Sequence, residues 1–183
     1  MTIYLALLRG INVGGNKKIK MAELKQMLEE MGLSQVKTYI QSGNVLFVSD
    51  EEADSLQKRI EERIELTFGF SAAVLLRTAA ELKNVLEHCP FSFESLVEGE
   101  SIHVSFLSAA LSQEEIDTLS ASSFAPDEFQ IIGKEAYMLL RQSILDSKLP
   151  IQLQKIVGTM TARNWKTVLK LGALAETISH SNK

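Results

Sequence analysis

Two stretches of the chain resemble each other, and this internal repeat constrains the fold more than any other feature. The segment TAAELKNVLEH, which begins at Thr78, aligns with TARNWKTVLKL, which begins at Thr161, at an offset of 83 residues. The β-prone runs that begin at Ile3 and Ile102 lie 99 residues apart, so the second copy is expected to be 16 residues shorter. Such a repeat indicates a tandem duplication of one supersecondary unit.

Four strands and three helices are expected in the first copy. Apolar β-prone runs predict the strands, and apolar residues at helical spacing predict the helices. The strands are expected at 3–8, 36–40, 45–49 and 70–78, and the helices at 21–32, 50–69 and 78–89. The segment QSGN (41–44) is expected to turn the second strand back onto the third, and Thr78 is expected to cap the last helix.

The second copy repeats this order. Strands are expected at 102–108, 127–133 and 135–141, a short strand or turn at 158–161, and helices at 112–123, 150–157 and 162–176. Ser112 and Glu115 have the S-x-x-E spacing of a capping box. Thr161 is expected to cap the final helix, which would begin at Ala162.

The order of elements in each copy is strand, helix, two strands, helix, strand, and then a further helix. This is the split βαβ, or ferredoxin-like, pattern. The sequence therefore predicts an α+β fold, a tandem duplication of two ferredoxin-like halves with antiparallel sheets, each followed by an extra helix. The linker PFSFESLVEGE (90–100) is expected to separate residues 1–98 from residues 99–183.

Composition excludes several classes of protein. The net charge of −4 and the pI near 5.5 argue against a dedicated nonspecific nucleic-acid binder, which would normally be basic. Cys89 is the single cysteine, so an intramolecular disulfide and a cysteine-based metal site are excluded, and a cytoplasmic location is expected. No signal peptide, membrane span, metal or cofactor is expected.

The segment RGINVGGNKKIK, here called the glycine-basic loop (residues 9–20), combines three glycines with four cations and precedes a predicted helix. In this topology it lies at the same end of the sheet as QSGN. Glycine amides, lysines and a helix N-terminus favour a phosphate or carboxylate. The candidate ligand-binding residues are Arg9, Gly10, Asn12, Gly14, Gly15, Lys17, Lys18, Gln41, Ser42 and Asn44. A purely structural loop is the alternative, since turns need glycines and exposed lysines keep a surface soluble.

A second candidate site is Arg163-Asn164-Trp165, in the expected first turn of the final helix. A cation is disfavoured there by the helix dipole, so a partner anion is expected, and an intramolecular ion pair would supply it. The alignment places Trp165 opposite Leu82, which favours core packing for the indole ring. His103 alternates with Ile102 and Val104, and it is expected to face outward.

Three functions are compatible with these observations. The first is a binding protein that holds a small phosphate-bearing anion at the glycine-basic loop. The second is an enzyme of unrecognised type in the same pocket with Arg9 as an electrophilic stabiliser, although no recognisable catalytic constellation supports it. The third is a single-stranded nucleic-acid binder, which would stack bases on the sheet face at Tyr4 and Phe47; the net charge disfavours it. The oligomeric state is left open.

The assembled motifs carry a resemblance. The opening YLALLRGINVGGNKKIKMAELKQMLEEMGLSQVKTYIQSGNVLF, then APDEF, SKL and TARNWKTVLKL, resemble a bacterial family, domain of unknown function family 1697. The resemblance covers nearly the whole chain. It implies an α+β fold of two similar ferredoxin-like halves, and it implies no activity.

Overall fold

The computed structural model describes residues 1–181, and its first half contains the predicted elements. They are β1 (Thr2–Leu8), α1 (Met21–Glu30), β2 (Ser34–Tyr39), β3 (Asn44–Ser49), α2 (Ala53–Phe68), β4 (Val74–Thr78) and α3 (Ala79–Glu87). The strands lie in the spatial order β2-β3-β1-β4, and every pairing is antiparallel. Thr78 caps α3 as predicted, because its Oγ1 accepts a hydrogen bond from the Glu81 amide at 3.1 Å.

The second half repeats this arrangement. Its elements are β5 (Ser101–Leu107), α4 (Gln113–Ser120), β6 (Glu128–Ile132), β7 (Glu135–Leu140), α5 (Leu149–Ile156), β8 (Met160–Asn164) and α6 (Trp165–Ser181). The antiparallel sheet has the order β6-β7-β5-β8, and the predicted capping box at Ser112 and Glu115 is present. The predicted fold class, an α+β fold with two similar halves, is confirmed.

The boundary between β8 and α6 differs from the prediction. The strand continues to Asn164 because it pairs with β5 as far as His103, so Arg163 belongs to the sheet and not to the helix. Asn164 caps α6, since its Oδ1 accepts a hydrogen bond from the Thr167 amide at 2.9 Å. The prediction that Thr161 caps a helix beginning at residue 162 was therefore wrong.

The register of the internal repeat is also corrected by strand pairing. Leu5 of β1 pairs with Arg77 of β4, and Val104 of β5 pairs with Arg163 of β8. The first strands are therefore offset by 99 residues and the last strands by 86, so the second half is 13 residues shorter. The sequence alignment slipped by three residues, because apolar positions of an amphipathic helix recur at that spacing.

The central strands of the first sheet are buried on both faces. On one face, side chains of α1 and α2, including Leu24, Leu28, Leu56, Ile60 and Ile64, pack on the sheet residues Ala6, Val45, Phe47 and Val74. The opposite face carries Leu5, Leu7, Leu46, Val48, Leu75 and Arg77, each at most 3% exposed. Both faces of this sheet are therefore closed to solvent at its centre.

The second sheet has the same property. Val104 and Phe106 on one face of β5 are buried, and so are Ser105 and Leu107 on the other. Leu107 belongs to a core cluster with Leu119, Ala136, Leu153, Val157 and Met160, which joins the sheet to α4 and α5. Polar groups that could reach a ligand are therefore confined to the ends of the strands and the connecting segments.

Packing divides the chain into two compact units. Among the described residues, one contains Met1–Asn84 together with 169–181, and the other contains Val85–Val168. Both dividing points fall inside helices, α3 and α6. These units are defined by contacts within the chain, not by the internal repeat. The repeat boundary between residues 98 and 99 therefore stays a prediction.

Asp127 is a buried carboxylate that organises the segment between β7 and α5. It accepts hydrogen bonds from the Arg141 amide at 2.8 Å, from Gln142 Nε2 at 2.6 Å and from Ser147 Oγ at 2.7 Å. Burial alone would raise the pKa of Asp127, but these hydrogen bonds outweigh it and hold the pKa below its ordinary value. The carboxylate therefore links the start of β6 to the SKL segment.

We predict that Asp127→Asn lowers the free energy of unfolding by about 2 kcal/mol at pH 7, because an amide nitrogen cannot accept these hydrogen bonds. A carboxyl with a depressed folded-state pKa stabilises the fold above its unfolded pKa and loses that effect as pH falls through the folded value. Urea unfolding between pH 7 and pH 3 should thus show the difference shrinking in acid. Asp146→Asn, at an exposed position, is the control, and an equal loss in both variants would contradict the assignment.

Candidate functional site

The glycine-basic loop and the turn between β2 and β3 meet at one end of the first sheet, as the topology predicts. The Leu8 amide donates to the Gly43 carbonyl at 2.8 Å. Asn12 Nδ2 donates to the Gln41 carbonyl at 2.7 Å. Two segments thirty residues apart in sequence are thus joined directly by hydrogen bonds.

Asn12 holds the glycine-basic loop in shape. Its Oδ1 accepts from the Ile19 amide at 2.8 Å, while Nδ2 donates to the Ile19 carbonyl at 3.0 Å as well as to Gln41. The residue adopts a φ of 56°, a left-handed conformation that asparagine tolerates better than most residues. Both ends of the amide are occupied by the protein, so Asn12 positions the loop.

The tip of the loop is a tight turn from Val13 to Asn16. The Asn16 amide donates to the Val13 carbonyl at 3.1 Å, and Gly14 and Gly15 between them have φ values of 60° and 79°. Positive φ at both central positions is the requirement of a type I′ turn, which explains the glycine pair. Among residues 1–181, the amides of Gly14 and Gly15 donate to no protein acceptor, and both glycines are exposed.

Gly43 of the QSGN turn packs closely against Leu8 and Ile11. A Cβ on Gly43 would lie 2.8 Å from Leu8 Cβ and 2.8 Å from Ile11 Cδ1, and its φ is 82°. Asn44 is fully buried and donates through Nδ2 to the Tyr39 carbonyl and to Ser42 Oγ. Gly43 and Asn44 therefore hold the turn together, whereas Gln41 and Ser42 are exposed.

Cations surround this end of the sheet. Lys17 donates through Nζ to the Ser71 carbonyl at 2.8 Å, and Lys20 lies 3.9 Å from Glu23 in an exposed ion pair. Lys18 folds back over Gly15: its Cε lies 3.9 Å from the position that a Cβ on that glycine would take. Within the described chain, the Lys18 ammonium makes no ion pair or hydrogen bond. Arg9 is half-buried and Gly10 is exposed with a φ of 68°.

The three residues of the second candidate site, Arg163, Asn164 and Trp165, do not line one common pocket. Arg163 points into the buried part of β8, where its Nη1 donates to Thr161 Oγ1 at 2.7 Å and to the Ala162 carbonyl at 2.9 Å. Burial lowers the pKa of Arg163 to about 10. Asn164 and Trp165 line a separate pocket. Arg163 therefore belongs to the sheet, whereas its two neighbours line the pocket.

The pocket lined by Asn164 and Trp165 lies within the unit of residues 85–168, and we call it the linker pocket. Its volume is about 290 Å³, and its walls include Phe93, Leu96, His103, Asn164, Trp165 and Lys166. His103 Nε2 lies 3.0 Å from Ser101 Oγ. Desolvation lowers the pKa of His103, so the imidazole is neutral at pH 7.

The sequence prediction named Asn164 and Trp165 but missed His103, because alternation alone places that residue outward. The repeat holds a better signal, since the offset of 99 residues aligns His103 with Tyr4, a buried core position. Strand pairing also places Trp165 opposite Ala79 and not Leu82. The indole ring is nevertheless mostly buried, as core packing predicts.

The nucleic-acid alternative requires that Tyr4 and Phe47 be exposed on the sheet face so that bases can stack on them. Tyr4 is 5% exposed and Phe47 is 0% exposed, with ring centroids 5.9 Å apart in the core beneath the helices. The Tyr4 hydroxyl is engaged as a donor to the Glu51 carbonyl at 2.8 Å. Bases cannot stack on rings that are covered by helices, so these two aromatics do not form the proposed surface.

Residues 1–181 contain neither a metal-binding cluster nor a membrane-spanning helix. This part of the chain contains no group of three or more histidine, cysteine, aspartate or glutamate side chains that could hold a metal ion. Its helices include none with the length and apolar character that crossing a membrane requires.

We predict that Gly43→Ala lowers the free energy of unfolding by about 2–5 kcal/mol. The new methyl group would add overpacking against Leu8 and Ile11 to the strain of a positive φ. Gly10→Ala is the matched control, because Gly10 has a similar φ but no atom within 4 Å of the added Cβ; its loss should be about 1 kcal/mol. Equal losses in urea unfolding would show that the two loops do not pack as closely as described.

Comparison with known proteins identifies the family and the fold. Residues 1–137 match the family described as "Protein of unknown function (DUF1697)". The solved structure of the conserved bacterial protein SP0830 from Streptococcus pneumoniae is similar to this chain, with a TM-score of 0.77 and 28% identity over 95% of this chain and 98% of that chain. No curated protein matches. Since the matched segment spans most of the sequence and contains both loops of the first sheet, the chain belongs to the DUF1697 family.

Proposed function

We propose that this protein binds a small phosphate-bearing anion at the glycine-basic loop and the adjoining QSGN turn. One observation carries the proposal: the Lys18 side chain lies over Gly15, next to backbone amides that have no protein acceptor. An ammonium group and exposed amides side by side are the groups that recognise a phosphate oxygen.

The local charge supports an anionic ligand. Arg9, Lys17, Lys18 and Lys20 occur before the first acidic residue of the chain, Glu23, although the net charge of the whole chain is −4. Because the protein is acidic overall, this cluster is a local exception to its average surface. A cluster of one sign raises the local concentration of ligands of the opposite sign.

The loop is also organised before any ligand arrives. Asn12 fixes its base through three hydrogen bonds, and the turn from Val13 to Asn16 fixes its tip. Preorganisation reduces the conformational entropy that binding would otherwise lose. Left-handed φ values at Asn12 and Lys17, both in this loop, indicate local strain of the kind that clusters at ligand sites.

These contacts divide the candidate residues into two groups. Asn12, Gly43 and Asn44 hold the two segments together through buried or internal contacts. The exposed candidates are Gly10, Gly14, Gly15, Lys17, Lys18, Gln41 and Ser42, and Arg9 is half-buried. Lys17 keeps donor capacity, since an ammonium has three protons and one is used by Ser71.

The test is a thermal-shift series with phosphate, pyrophosphate, nucleotides and sugar phosphates. A ligand at 100 times its Kd adds about 2.7 kcal/mol, which should raise the Tm of a chain of this size by about 5–10 °C. Lys18→Ala should abolish most of this shift without lowering the Tm of the free protein, because the side chain makes no internal hydrogen bond or ion pair among the described residues.

Lys58→Ala is the matched control, since Lys58 is an exposed lysine of α2 that does not belong to the loop. It should retain the full shift. If no phosphate compound raises the Tm, or if both lysine variants weaken the response equally, the glycine-basic loop is not an anion site.

A further inference from the structure

We propose that the linker pocket is a second, independent binding site for a small aromatic acid, a single ring that bears a carboxylate or phosphate. It lies in the unit of residues 85–168 and shares no residue with the glycine-basic loop. The inference therefore goes beyond the proposed function and does not depend on it.

Comparison of the two halves explains why space exists at this position. In the first half, Tyr4 fills the site beside Thr78 and its hydroxyl reaches the backbone that precedes α2. In the second half, His103 takes the equivalent place beside Asn164. A histidine is smaller than a tyrosine. The second half thus brings less side-chain volume to this position than the first half does.

Side chains of the linker complete the walls. Phe93, from a short 3-10 helix at Phe93–Ser95, is 36% exposed, and Leu96 follows it. Trp165, at the start of α6, also lines the pocket with the 7% of its surface that is exposed. A volume near 290 Å³ is at the lower limit of ligand pockets and suits one ring with one substituent. Aromatic walls favour an aromatic occupant through offset or edge-to-face contact.

Polar groups in the pocket favour an anionic substituent. Lys166 is exposed at the rim, and in the described part of the chain its ammonium makes no ion pair. His103 and Ser101 add neutral hydrogen-bonding groups at 3.0 Å from each other.

Glu100 is the acidic residue of the lining, and its charge is compensated. Its Oε1 accepts from Arg141 Nε at 3.0 Å, and its Oε2 accepts from the Val97 amide at 3.1 Å. Both carboxylate oxygens are therefore engaged by donors of the protein. The charge that remains available to a ligand is that of the Lys166 ammonium.

The chain offers a specific probe of this site, because Trp165 is its single tryptophan. The indole N–H cross-peak in a ¹⁵N–¹H spectrum of the whole chain can be followed during titration with benzoate and with phenyl phosphate. We expect a saturable shift with a Kd of about 1 mM, as befits so small a ligand. Benzamide, which has the same ring without the charge, should bind about fivefold more weakly.

Two variants, Lys166→Gln and Phe93→Ala, separate the contributions of charge and ring to binding, and Lys170→Gln is the control. Lys166→Gln should weaken benzoate about fivefold and leave benzamide unchanged, whereas Lys170→Gln, at an exposed position further along α6, should leave both unchanged. Phe93→Ala should weaken both ligands. Inorganic phosphate alone should not shift the indole peak, which keeps this result distinct from binding at the glycine-basic loop.

The proposal is overturned by any of three results. The first is a linear, non-saturating shift with both acids, the second is equal affinity for benzoate and benzamide, and the third is equal weakening by the two lysine variants.

Discussion

Burial of both faces of the central strands is the constraint on which the rest of this structure depends. Leu5 and Leu7 point to one face of β1 and Ala6 and Leu8 to the other, and all four are essentially inaccessible. A sheet closed in this way cannot present a broad flat surface to a ligand. Chemistry is therefore confined to the ends of strands and to the connections, which tolerate polar groups and varied backbone conformations. The glycine-basic loop and the linker pocket both occupy such positions.

Several of the motifs that stand out in the sequence hold distant segments of the fold together. Asn12 of RGINVGG bonds to the backbone of the QSGN turn, where Gly43 packs against Leu8. Asp127 of APDEF accepts a hydrogen bond from Ser147 of SKL in the same way. Each pair joins two distant segments through a buried or close contact. Conspicuous polar residues in this chain thus hold loops in place, and the groups left over for a ligand are exposed ones such as Lys18.

Periodicity and turn chemistry were sufficient to predict the element order of both halves, because each strand and helix carries a local apolar pattern. The failures occurred where tertiary contacts decide. The start of α6 was placed at Ala162, yet pairing with β5 keeps Arg163 in the strand and moves the cap to Asn164. The repeat was aligned three residues out of register, since apolar positions of a helix recur at that spacing.

The candidate sites, like the fold, could be predicted from the sequence only in part. Local sequence was enough to bring the two loops of the first sheet together, because topology places them at one end. It could not reveal that the side-chain amides of Asn12 and Asn44 are engaged by other groups of the protein, because those contacts depend on three-dimensional distances. The second candidate site named Asn164 and Trp165, which line the linker pocket, but it did not include His103 or Phe93. His103 is smaller than Tyr4, which occupies the equivalent position in the first half, and this difference is visible only when strand pairing aligns the two halves.

The most direct test of the central claim, an anion site on a preorganised loop, is a map of amide chemical shifts during titration with pyrophosphate. The account predicts that the backbone amides of Gly14, Gly15 and Lys18 shift together and saturate with one Kd, while the side-chain amides of Asn12 and Asn44 keep their positions because the protein already engages them. Saturable shifts confined to another part of the chain, or no saturable shift at all, would contradict it.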